Sequence, residues 1–275
     1  MIAFPNAKIN IGLFITARRP DGYHDIATVM MAADWCDILE IVPAKDGVTT
    51  LTVTGRSVDC PPEKNLVMRA YRAMEERYNL PPVDIFLRKI IPDGAGLGGG
   101  SADAAFTITT LDRLFGLGLS ADVMAGIAAT IGSDCPFFIY NRPMLATGTG
   151  TTLSPVDLSL KGYTLVIVKP DVHVSTAEAY GGCRPRPSSI ALPEVLSTVL
   201  PAEWADAGVR NDFEDTVFAH HPRIAEIKST LYNAGAEYAS MSGSGASVFG
   251  IFARDILADE IERLFPETDF HISKL

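Results

Sequence analysis

Cysteine is scarce in this chain of 275 residues, and the four cysteines are far apart. No two of them have the C-x-x-C spacing that zinc sites and redox-active pairs share. The pattern therefore excludes both kinds of motif and predicts four free thiols in a reducing cytoplasm. The cysteines are Cys36, Cys60, Cys135 and Cys183.

Positive charge is also in short supply. The chain has 23 Lys and Arg against 33 Asp and Glu, which gives a formal net charge of −10. Binding to a duplex nucleic acid usually requires a basic surface, so no nucleic-acid partner is expected. A small anion can still be bound, but by a local arrangement of groups and not by the overall field of the protein.

Long apolar runs are missing as well. No window has the roughly 20 uninterrupted apolar residues that a membrane-spanning helix needs. The segment MIAFPNAKINIG has no basic stretch ahead of an apolar run, so it does not resemble a secretion signal. We therefore expect a cytoplasmic protein with no membrane partner. Hydrophobic residues make up 47% of the chain, which is enough for a packed core and excludes a disordered protein.

The residues that are present indicate a mixed fold. Residues 7–15 alternate strictly between apolar and other side chains, which predicts a half-buried strand. Apolar residues at helical spacing predict a helix over 65–78. Strands and helices are mixed without regular alternation, so an α+β fold is favoured over a doubly wound sheet. The Gly-, Thr- and Ser-rich stretch 147–155 is the expected boundary between two domains, residues 1–153 and 154–275.

The strongest local signal is a glycine-rich loop between a predicted strand and a predicted helix. Five glycines fall within the seven residues 94–100. Glycine lets the backbone approach a ligand closely, and a helix N-terminus presents unpaired N–H groups with a partial positive charge. Together they predict a phosphate-binding loop that needs no basic side chain, which suits an acidic protein. The alternative is a hinge without a ligand, in which so many glycines would be costly.

The loop does not fit the two common nucleotide-binding motifs. No Lys follows the glycines, as the P-loop motif requires. Gly94, Gly96 and Gly99 have the spacing of the dinucleotide fingerprint, but no clear acidic strand end follows about 20 residues later.

The segment PDGAGLGGGSADAA resembles the ATP loop of the GHMP kinase superfamily. Three further segments agree with one branch of it, whose members phosphorylate the 2-hydroxyl of 4-diphosphocytidyl-2-C-methyl-D-erythritol in the non-mevalonate route to isoprenoid precursors. The resemblance extends from residue 5 to about residue 250, and the motifs occur in the same order. The three segments are PNAKINIGLFI followed by RRPDGYHDIATV, GSDCPFF, and MSGSGASVFG.

The resemblance implies a two-domain GHMP kinase fold. The N-terminal domain would bind ATP and be like domain 2 of ribosomal protein S5, and the C-terminal domain would bind the substrate and be ferredoxin-like. ATP with Mg²⁺ is the implied co-substrate; there is no tightly bound cofactor, and no residue is assigned as a metal ligand. The chain is expected to be a monomer or a weak homodimer. The ATP-binding residues would be Asn65, Pro92, Asp93, Gly94, Ala95, Gly96, Leu97, Gly98, Gly99, Gly100, Ser101 and Ala102.

Two charged residues are the implied catalytic pair. Lys8 lies on the polar face of the first predicted strand, where a solvated lysine is the ordinary outcome. Asp134 follows a predicted helix end, where a turn or a helix cap is the ordinary role. In the resembling kinases this Asp accepts the proton of the acceptor hydroxyl, and this Lys holds the Asp ionised and orients the hydroxyl. The resemblance therefore implies that Lys8 and Asp134 are catalytic.

The acceptor pocket is also implied by the resemblance. The ring of Tyr23 would stack on the cytosine and His24 would hydrogen-bond to it, while a second ring comes from the C-terminal domain. A hydroxyl from that domain would meet the diphosphate, and a Ser-Gly turn would face the phosphate loop. The ordinary interpretations are a loop with one packed aromatic residue and a tight β-turn. The substrate-binding residues would be Asn10, Tyr23, His24, Thr176, Tyr180, Ser242 and Gly243.

Two alternative functions stay open. The first is another GHMP kinase acting on mevalonate, homoserine or a sugar, which would not need the Tyr23–His24 pocket. The second is a nucleotide-binding or interaction module without catalysis, against which Lys8 and Asp134 argue. Asn65 likewise has an ordinary alternative, since a plain helix N-cap would look the same.

Two segments do not fit neatly into this picture. Asp93 stands where the family usually has an apolar residue, and a carboxylate near a triphosphate is repulsive unless it faces solvent or a cation. Asn211 and Asp212 resemble a family segment, and no role is assigned to them.

Overall fold

The computed structural model describes residues 1–58, 60–188 and 190–275. Two compact units are interleaved along the chain. The first unit consists of Met1–Ala7, Asp34–Asp93 and Gly98–Arg142, and the second of Lys8–Ala33, Gly94–Leu97 and Pro143–Leu275. The domain boundary expected after residue 153 stays a prediction.

Strands and helices are both well represented, as the α+β prediction requires. The strands are β1 (Ile2–Ala3), β2 (Asn6–Arg18), β3 (His24–Cys36), β4 (Ile38–Pro43), β5 (Thr50–Gly55), β6 (Val83–Lys89), β7 (Met144–Gly148), β8 (Thr152–Pro155), β9 (Thr164–Lys169), β10 (Tyr238–Met241), β11 (Val248–Phe252) and β12 (Asp269–Lys274). The helices are α1 (Leu66–Tyr78), α2 (Gly99–Phe115), α3 (Ala121–Ala129), α4 (Cys135–Tyr140), α5 (Thr176–Gly181), α6 (Leu192–Thr198), α7 (Pro201–Trp204), α8 (Glu214–His220), α9 (Pro222–Asn233) and α10 (Ala258–Leu264).

The first unit packs helices on a four-stranded sheet of order β1-β4-β6-β5. Strand β5 runs parallel to β6, and the other pairs are antiparallel. Helix α1 confirms the prediction over 65–78, and it buries Tyr71 and Met74 against the same core that receives Ile108 and Leu111 of α2. Since α2 continues directly from the glycine-rich loop, this buried stripe fixes the direction in which the loop enters the helix.

The second unit contains two four-stranded sheets. One has the order β2-β3-β7-β8 and the other has the order β10-β11-β9-β12. In the second sheet all neighbours are antiparallel, α9 precedes β10, and α10 joins β11 to β12. This is the βαββαβ arrangement of a ferredoxin-like domain, as the resemblance implies. None of the helices in the described residues has the length and apolar character that a membrane crossing requires.

Strand β2 differs from its prediction in one respect. The alternation of residues 7–15 predicted a half-buried strand, but both faces of this stretch are buried. On the polar face, Lys8 is 4% exposed and Asn10 is 2% exposed. A Cβ atom at Gly12 would lie 2.9 Å from Leu192 and 3.2 Å from Val209, so other residues of the second unit cover this face. A period of two identifies the two faces of a strand, but it cannot show that polar groups on one face are buried against each other.

Candidate active site

The part of the glycine-rich loop in the first unit ends in an open helix N-terminus. Gly98 is the N-cap of α2 with φ +71°, and no side chain accepts a hydrogen bond there. The first turn of α2 contains no acidic residue, and Asp93 is exposed. The N–H groups of the first turn, from Gly99 onward, therefore have no acceptor from a capping side chain, and this is an arrangement that can stabilise an anion through both hydrogen bonds and the helix dipole.

The part of the loop in the second unit, residues 94–97, is fixed by contacts to its backbone. The carbonyl oxygen of Gly96 accepts hydrogen bonds from Lys8 Nζ at 3.0 Å and from Ser242 Oγ at 2.9 Å. The φ of Gly96 is +74°, and a Cβ atom there would lie 2.1 Å from the Ser242 carbonyl oxygen. The chain therefore needs glycine at this position both for its conformation and for the close approach of the second backbone.

Lys8 is a buried and directed cation. Its Nζ donates to Asn10 Oδ1 at 2.6 Å in addition to Gly96. The Asn10 amide donates in turn to Thr28 Oγ1 at 3.1 Å, and the Thr28 hydroxyl donates to the Gly12 carbonyl at 2.6 Å. The ordinary interpretation of Lys8 as a solvated lysine is therefore wrong, because a fixed network holds its ammonium group.

Asp134 precedes helix α4 in the first unit. It occupies the N-cap position, yet its side chain makes no capping hydrogen bond. Pro136 follows in the first turn, which starts the helix without a side-chain cap. Capping is therefore not the role of this carboxylate. The pairing of Asp134 with Lys8 stays a prediction, because the two residues belong to different units.

Aromatic rings gather in the second unit near the predicted acceptor residues. The His24 ring stacks on Tyr180 with centroids 4.9 Å apart and planes at 20°. Phe213 packs against Tyr180 in a T-shaped arrangement, with the two ring centroids 4.8 Å apart and the planes at 88°. Tyr23 is 67% exposed, so it is available to a ligand. Thr176 is exposed at the start of α5, where Ser175 and not Thr176 caps the helix.

The turn at Ser242–Gly243 is held from the protein interior. Asn211 Nδ2 donates to the carbonyl oxygens of Met241 and Gly243, both at 2.8 Å. Glu214 Oε1 accepts from the Met241 amide at 2.8 Å. The turn is thus a fixed part of the site.

A buried ionic cluster in the first unit connects residues just before the glycine-rich loop with residues just after it. Lys89, at the end of β6, forms hydrogen-bonded ion pairs with Asp37 and with Asp103, the latter at 2.7 Å. Asp37 Oδ1 also accepts from the backbone amides of Ile90 and Ile91. Because Asp103 lies in the second turn of α2, the cluster ties the strand before the loop to the helix after it. A Cβ atom at Gly99 would lie 3.4 Å from Lys89 Nζ, so the ammonium group lies directly beneath the loop.

The protonation of this cluster is unusual. Burial raises the pKa of Asp103 to about 7, with Asp37 acting in the same direction and Lys89 against it. Burial opposes the charge of Lys89, but the two carboxylates raise its pKa above the usual value. Among the described residues, nothing donates to Asp103 Oδ1. A cation shared by two carboxylates leaves one negative charge in excess, and a proton on Asp103 would neutralise it.

Asn65 is found in the role that its ordinary interpretation gives it. Its side chain caps α1 by accepting a hydrogen bond from the Val67 amide at 2.9 Å. A cavity of about 320 Å³ opens beside it, lined by β5 and by residues of the following segment, among them Val53, Arg56 and Val58. A contact of Asn65 with ATP stays a prediction, and this cavity is the space in which a nucleoside could make it.

The structure thus brings together Lys8, Asn10, Gly96, Ser242 and Gly243 in one network, and His24 with Tyr180 in another. Sequence reasoning missed two further groups: the interior residues at 211–214, which support these networks, and the Lys89 cluster, which ties β6 to α2 within the first unit. The sequence signals for them were the Asn211–Asp212 pair, to which no role was assigned, and the presence of Lys89 and Asp103 on either side of the glycines. No three His, Cys, Asp or Glu side chains of the described ranges lie close enough to bind a metal ion together.

Comparison with known proteins gives consistent matches along the chain. Residues 65–142 match the family "GHMP kinases N terminal domain", and residues 198–268 match "GHMP kinases C terminal". The chain is 54% identical over 254 residues to a 4-diphosphocytidyl-2-C-methyl-D-erythritol kinase of Parabacteroides distasonis, covering 92% of each protein. It is 48% identical over 272 residues to the protein of that name from Bacteroides thetaiotaomicron, covering 98% of this chain and 96% of the relative.

Solved structures agree with this similarity. A crystal structure of a 4-(cytidine 5'-diphospho)-2C-methyl-D-erythritol kinase matches with a TM-score of 0.77 and 30% identity, covering 96% of this chain and 93% of that one. A homoserine kinase from Cytophaga hutchinsonii matches with a TM-score of 0.74 at 18% identity, covering 98% and 94%. At that identity the second match shows a shared fold alone.

Proposed function

Because the chain belongs to the 4-diphosphocytidyl-2-C-methyl-D-erythritol kinase family of GHMP kinases, we propose that it transfers the terminal phosphoryl group of ATP to the 2-hydroxyl of 4-diphosphocytidyl-2-C-methyl-D-erythritol. The observation that carries the proposal is the 54% identity over 92% of the chain to a relative of that name. The buried Lys8 network and the open helix N-terminus supply groups that this reaction needs.

The phosphate loop binds the triphosphate of MgATP, which enters as a substrate. Backbone N–H groups of Gly98–Ser101 and the α2 dipole stabilise the phosphate charge without a cation in the loop itself. The Ala102 amide is not among them, because it donates to the Gly98 carbonyl at 2.9 Å within the helix. The residues Pro92–Leu97 shape the approach to it, and the exposed Asp93 carboxylate is solvated there. The nucleoside end would occupy the cavity beside Asn65, because β5, which lines that cavity, pairs with β6, the strand that leads into the loop.

Transfer itself requires little covalent work from the protein. Phosphoryl transfer proceeds through a loose transition state, so positioning and charge stabilisation dominate. Asp134 accepts the proton of the acceptor hydroxyl late in the reaction, since an alcohol is far less acidic than a carboxylic acid. Lys8 orients the hydroxyl and stabilises the negative charge that develops there; its bonds to Asn10 and Gly96 fix the direction of its ammonium group.

The cytidine end of the acceptor binds among the aromatic residues. Tyr180 forms a T-shaped pair with Phe213 and belongs to the same aromatic cluster as His24, while Tyr23 is exposed and can close over the base. His24, which stacks on Tyr180, supplies ring nitrogens for hydrogen bonds to the base. The exposed hydroxyl of Thr176 meets the diphosphate. Stacking of a base on an aromatic ring contributes about 1–3 kcal/mol.

Acceptor selectivity tests this function. Purified protein is given MgATP with the cytidyl substrate, homoserine or mevalonate, and ADP release and the phosphorylated product are measured. We expect turnover with the cytidyl substrate alone. Turnover with mevalonate or homoserine but not with the cytidyl substrate would contradict the proposed acceptor, and absence of ATP-dependent turnover with any of them would contradict the enzyme activity.

The base pocket makes a separate prediction. Replacing Tyr180 with Leu removes the flat ring, so we expect the KM for the cytidyl substrate to rise about 5- to 100-fold. The KM for ATP should change less than twofold, since this ring lies in the second unit's acceptor pocket. Initial rates over a range of both substrates measure the two constants. Tyr180→Phe keeps the ring and should restore the acceptor KM; an unchanged KM in Tyr180→Leu would remove this residue from the pocket.

Gly96 makes a further prediction. Gly96→Ala combines a positive φ with a Cβ atom 2.1 Å from the Ser242 carbonyl oxygen, so the two backbones must separate. A shift of Gly96 also moves the carbonyl oxygen that orients the Lys8 ammonium group. We therefore expect kcat/KM to fall at least about tenfold. The matched control is Gly118→Ala, at φ +69° with open space around it, which tests conformational strain alone. Equal kinetic constants in the two variants would contradict the close-approach argument.

A further inference from the structure

The segment Asn211–Glu214 joins the two networks of the acceptor site, and it lies against strand β2. The Leu13 amide donates to the Arg210 carbonyl and the Leu13 carbonyl accepts from the Asp212 amide, both at 2.8 Å. The Ile15 amide donates to Asp212 Oδ2 at 2.9 Å. The segment is therefore fixed by backbone bonds to the strand that carries Lys8 and Asn10.

Asn211 connects this segment to the Ser242–Gly243 turn. Both N–H bonds of its amide are used, one on each of the carbonyl oxygens of Met241 and Gly243, and its Oδ1 accepts from the Phe213 amide at 3.0 Å. The side chain is 2% exposed. Only an amide can donate twice and accept once in this geometry, so the position specifies asparagine.

The turn transmits its position to the catalytic lysine. Ser242 Oγ and Lys8 Nζ donate to the same Gly96 carbonyl oxygen. A Cβ atom at Gly243 would lie 3.3 Å from that oxygen and 3.4 Å from Asn10 Oδ1, so the turn has no space to move toward Lys8. A displacement of the turn therefore changes the acceptors that orient the Lys8 ammonium group.

The same segment supports the base pocket. Phe213 contacts Tyr180 edge-on, and Tyr180 stacks on His24. Since the Phe213 amide is bonded to the side chain of Asn211, the ring and the turn are anchored within three residues of each other. Glu214 adds a second anchor, because its carboxylate accepts from Ser240 Oγ and from the Met241 amide.

We propose that Asn211 and Phe213 are positioning residues that set the place of Lys8 relative to the base pocket, so that one segment aligns the reacting hydroxyl with the bound cytidine. Neither is a catalytic residue, because they act through Gly243 and Tyr180. This inference rests on the proposed function for its kinetic consequences, while the mechanical link between the segment, the turn and residues 94–97 can be tested without any substrate.

Two variants test the link. Asn211→Asp keeps the shape but replaces two donors with an acceptor facing two carbonyl oxygens, and Phe213→Leu keeps an apolar side chain without the ring edge. We expect Asn211→Asp to lower kcat about 10- to 100-fold and Phe213→Leu to raise the acceptor KM about 3- to 10-fold. The fall in kcat/KM for the acceptor in the double variant should differ at least threefold from the product of the falls in the two single variants, because the two residues share one anchor.

Hydrogen exchange supplies the readout that needs no turnover. The amides of Ser242 and Ser247 are bonded within the turn and to Ala95, so their exchange should accelerate in Asn211→Asp, together with that of residues 94–97. The control is Ile227→Val, which weakens the core that Phe213 also joins but removes none of the hydrogen bonds of the segment, and it should leave the kinetic constants unchanged.

The outcomes separate the two proposals. Local exchange with the expected kcat and KM changes supports the positioning role. Unchanged exchange at the turn, or kinetic constants that only follow the melting temperature as in Ile227→Val, overturns it. If the wild-type protein does not phosphorylate the cytidyl substrate, the proposed function fails, and exchange at residues 94–97 and 242–247 alone decides whether Asn211 holds the turn.

Discussion

Asp134→Asn should abolish most of the turnover while leaving nucleotide binding intact. The amide has nearly the same shape as the carboxylate but cannot accept a proton from an alcohol. A positioned general base contributes about 10²- to 10⁴-fold to the rate, so we expect kcat to fall by that factor. The dissociation constant for ATP should change less than about threefold, because the loop amides and α2 bind the triphosphate. Rates of ADP release and calorimetric titration with ATP measure the two quantities.

Asp122→Asn is the matched control for this change. Asp122 is an exposed carboxylate of the same unit, and it accepts a hydrogen bond from the Tyr140 hydroxyl. Its replacement removes one negative charge near the start of a helix of the same unit, as Asp134→Asn does, so kcat should stay near the wild-type value. Turnover of Asp134→Asn close to that of the control would show that this carboxylate is not the base.

Lys89→Met should have the largest effect on stability. It leaves the carboxylates of Asp37 and Asp103 buried without their shared cation, and breaking a buried ion pair from one side typically costs about 3–5 kcal/mol. Denaturation by urea, followed by circular dichroism, measures the loss. The exposed pair Arg72–Glu75 on α1 gives the control, because Arg72→Met should cost at most about 1 kcal/mol.

The loss in Lys89→Met should depend on pH in a definite direction. In the wild-type protein the pKa of Asp103 is raised from 3.8 to about 7, chiefly by burial, so the folded state retains a proton that the unfolded state releases. Its contribution to stability is therefore complete below about pH 4 and is lost as the pH rises to about 7. Without Lys89 the pKa of Asp103 rises further, because the cation that lowers it is gone, and the loss continues above pH 7. The deficit of the variant should thus be larger at pH 8.5 than at pH 6; an equal deficit at both would contradict this account.

The sequence predicted the local features of the site and not their supports. Five glycines before a helix are a local pattern, so the loop could be predicted to bind phosphate and the helix after it could be located. Lys8 could be placed on the polar face of a strand, but its burial depends on residues 96 and 242, which no periodicity connects to it. Lys89 and Asp37 are 52 positions apart, and Asn211 and Gly243 are 32 apart. Pairings at such separations are decided by sheet topology and packing, so a single sequence shows the residues without showing the partners.

The family resemblance assigned roles to residues that no local sequence pattern singles out, but it did not show their contacts. It led to Asp134, to Tyr180 and to the Ser242 turn, whereas it left Asn211 without a role. The hydrogen bonds of Asn211 explain why this residue type occurs there: two carbonyl oxygens face it and need donors. The role of Asn211 therefore follows from the carbonyl oxygens that it contacts in the structure and not from the motif alone.

The interleaving of the two units has a consequence for how such a protein can be altered by recombination. The chain passes from one unit to the other after residues 7, 33, 93, 97 and 142. No single crossover between two homologous genes can therefore exchange one complete unit for its counterpart. A chimera with one junction between residues 8 and 142 inherits parts of both units from each parent, and junctions between residues 93 and 98 also fall inside the glycine-rich loop. Viable hybrids should consequently come from parents whose residues already match across both units.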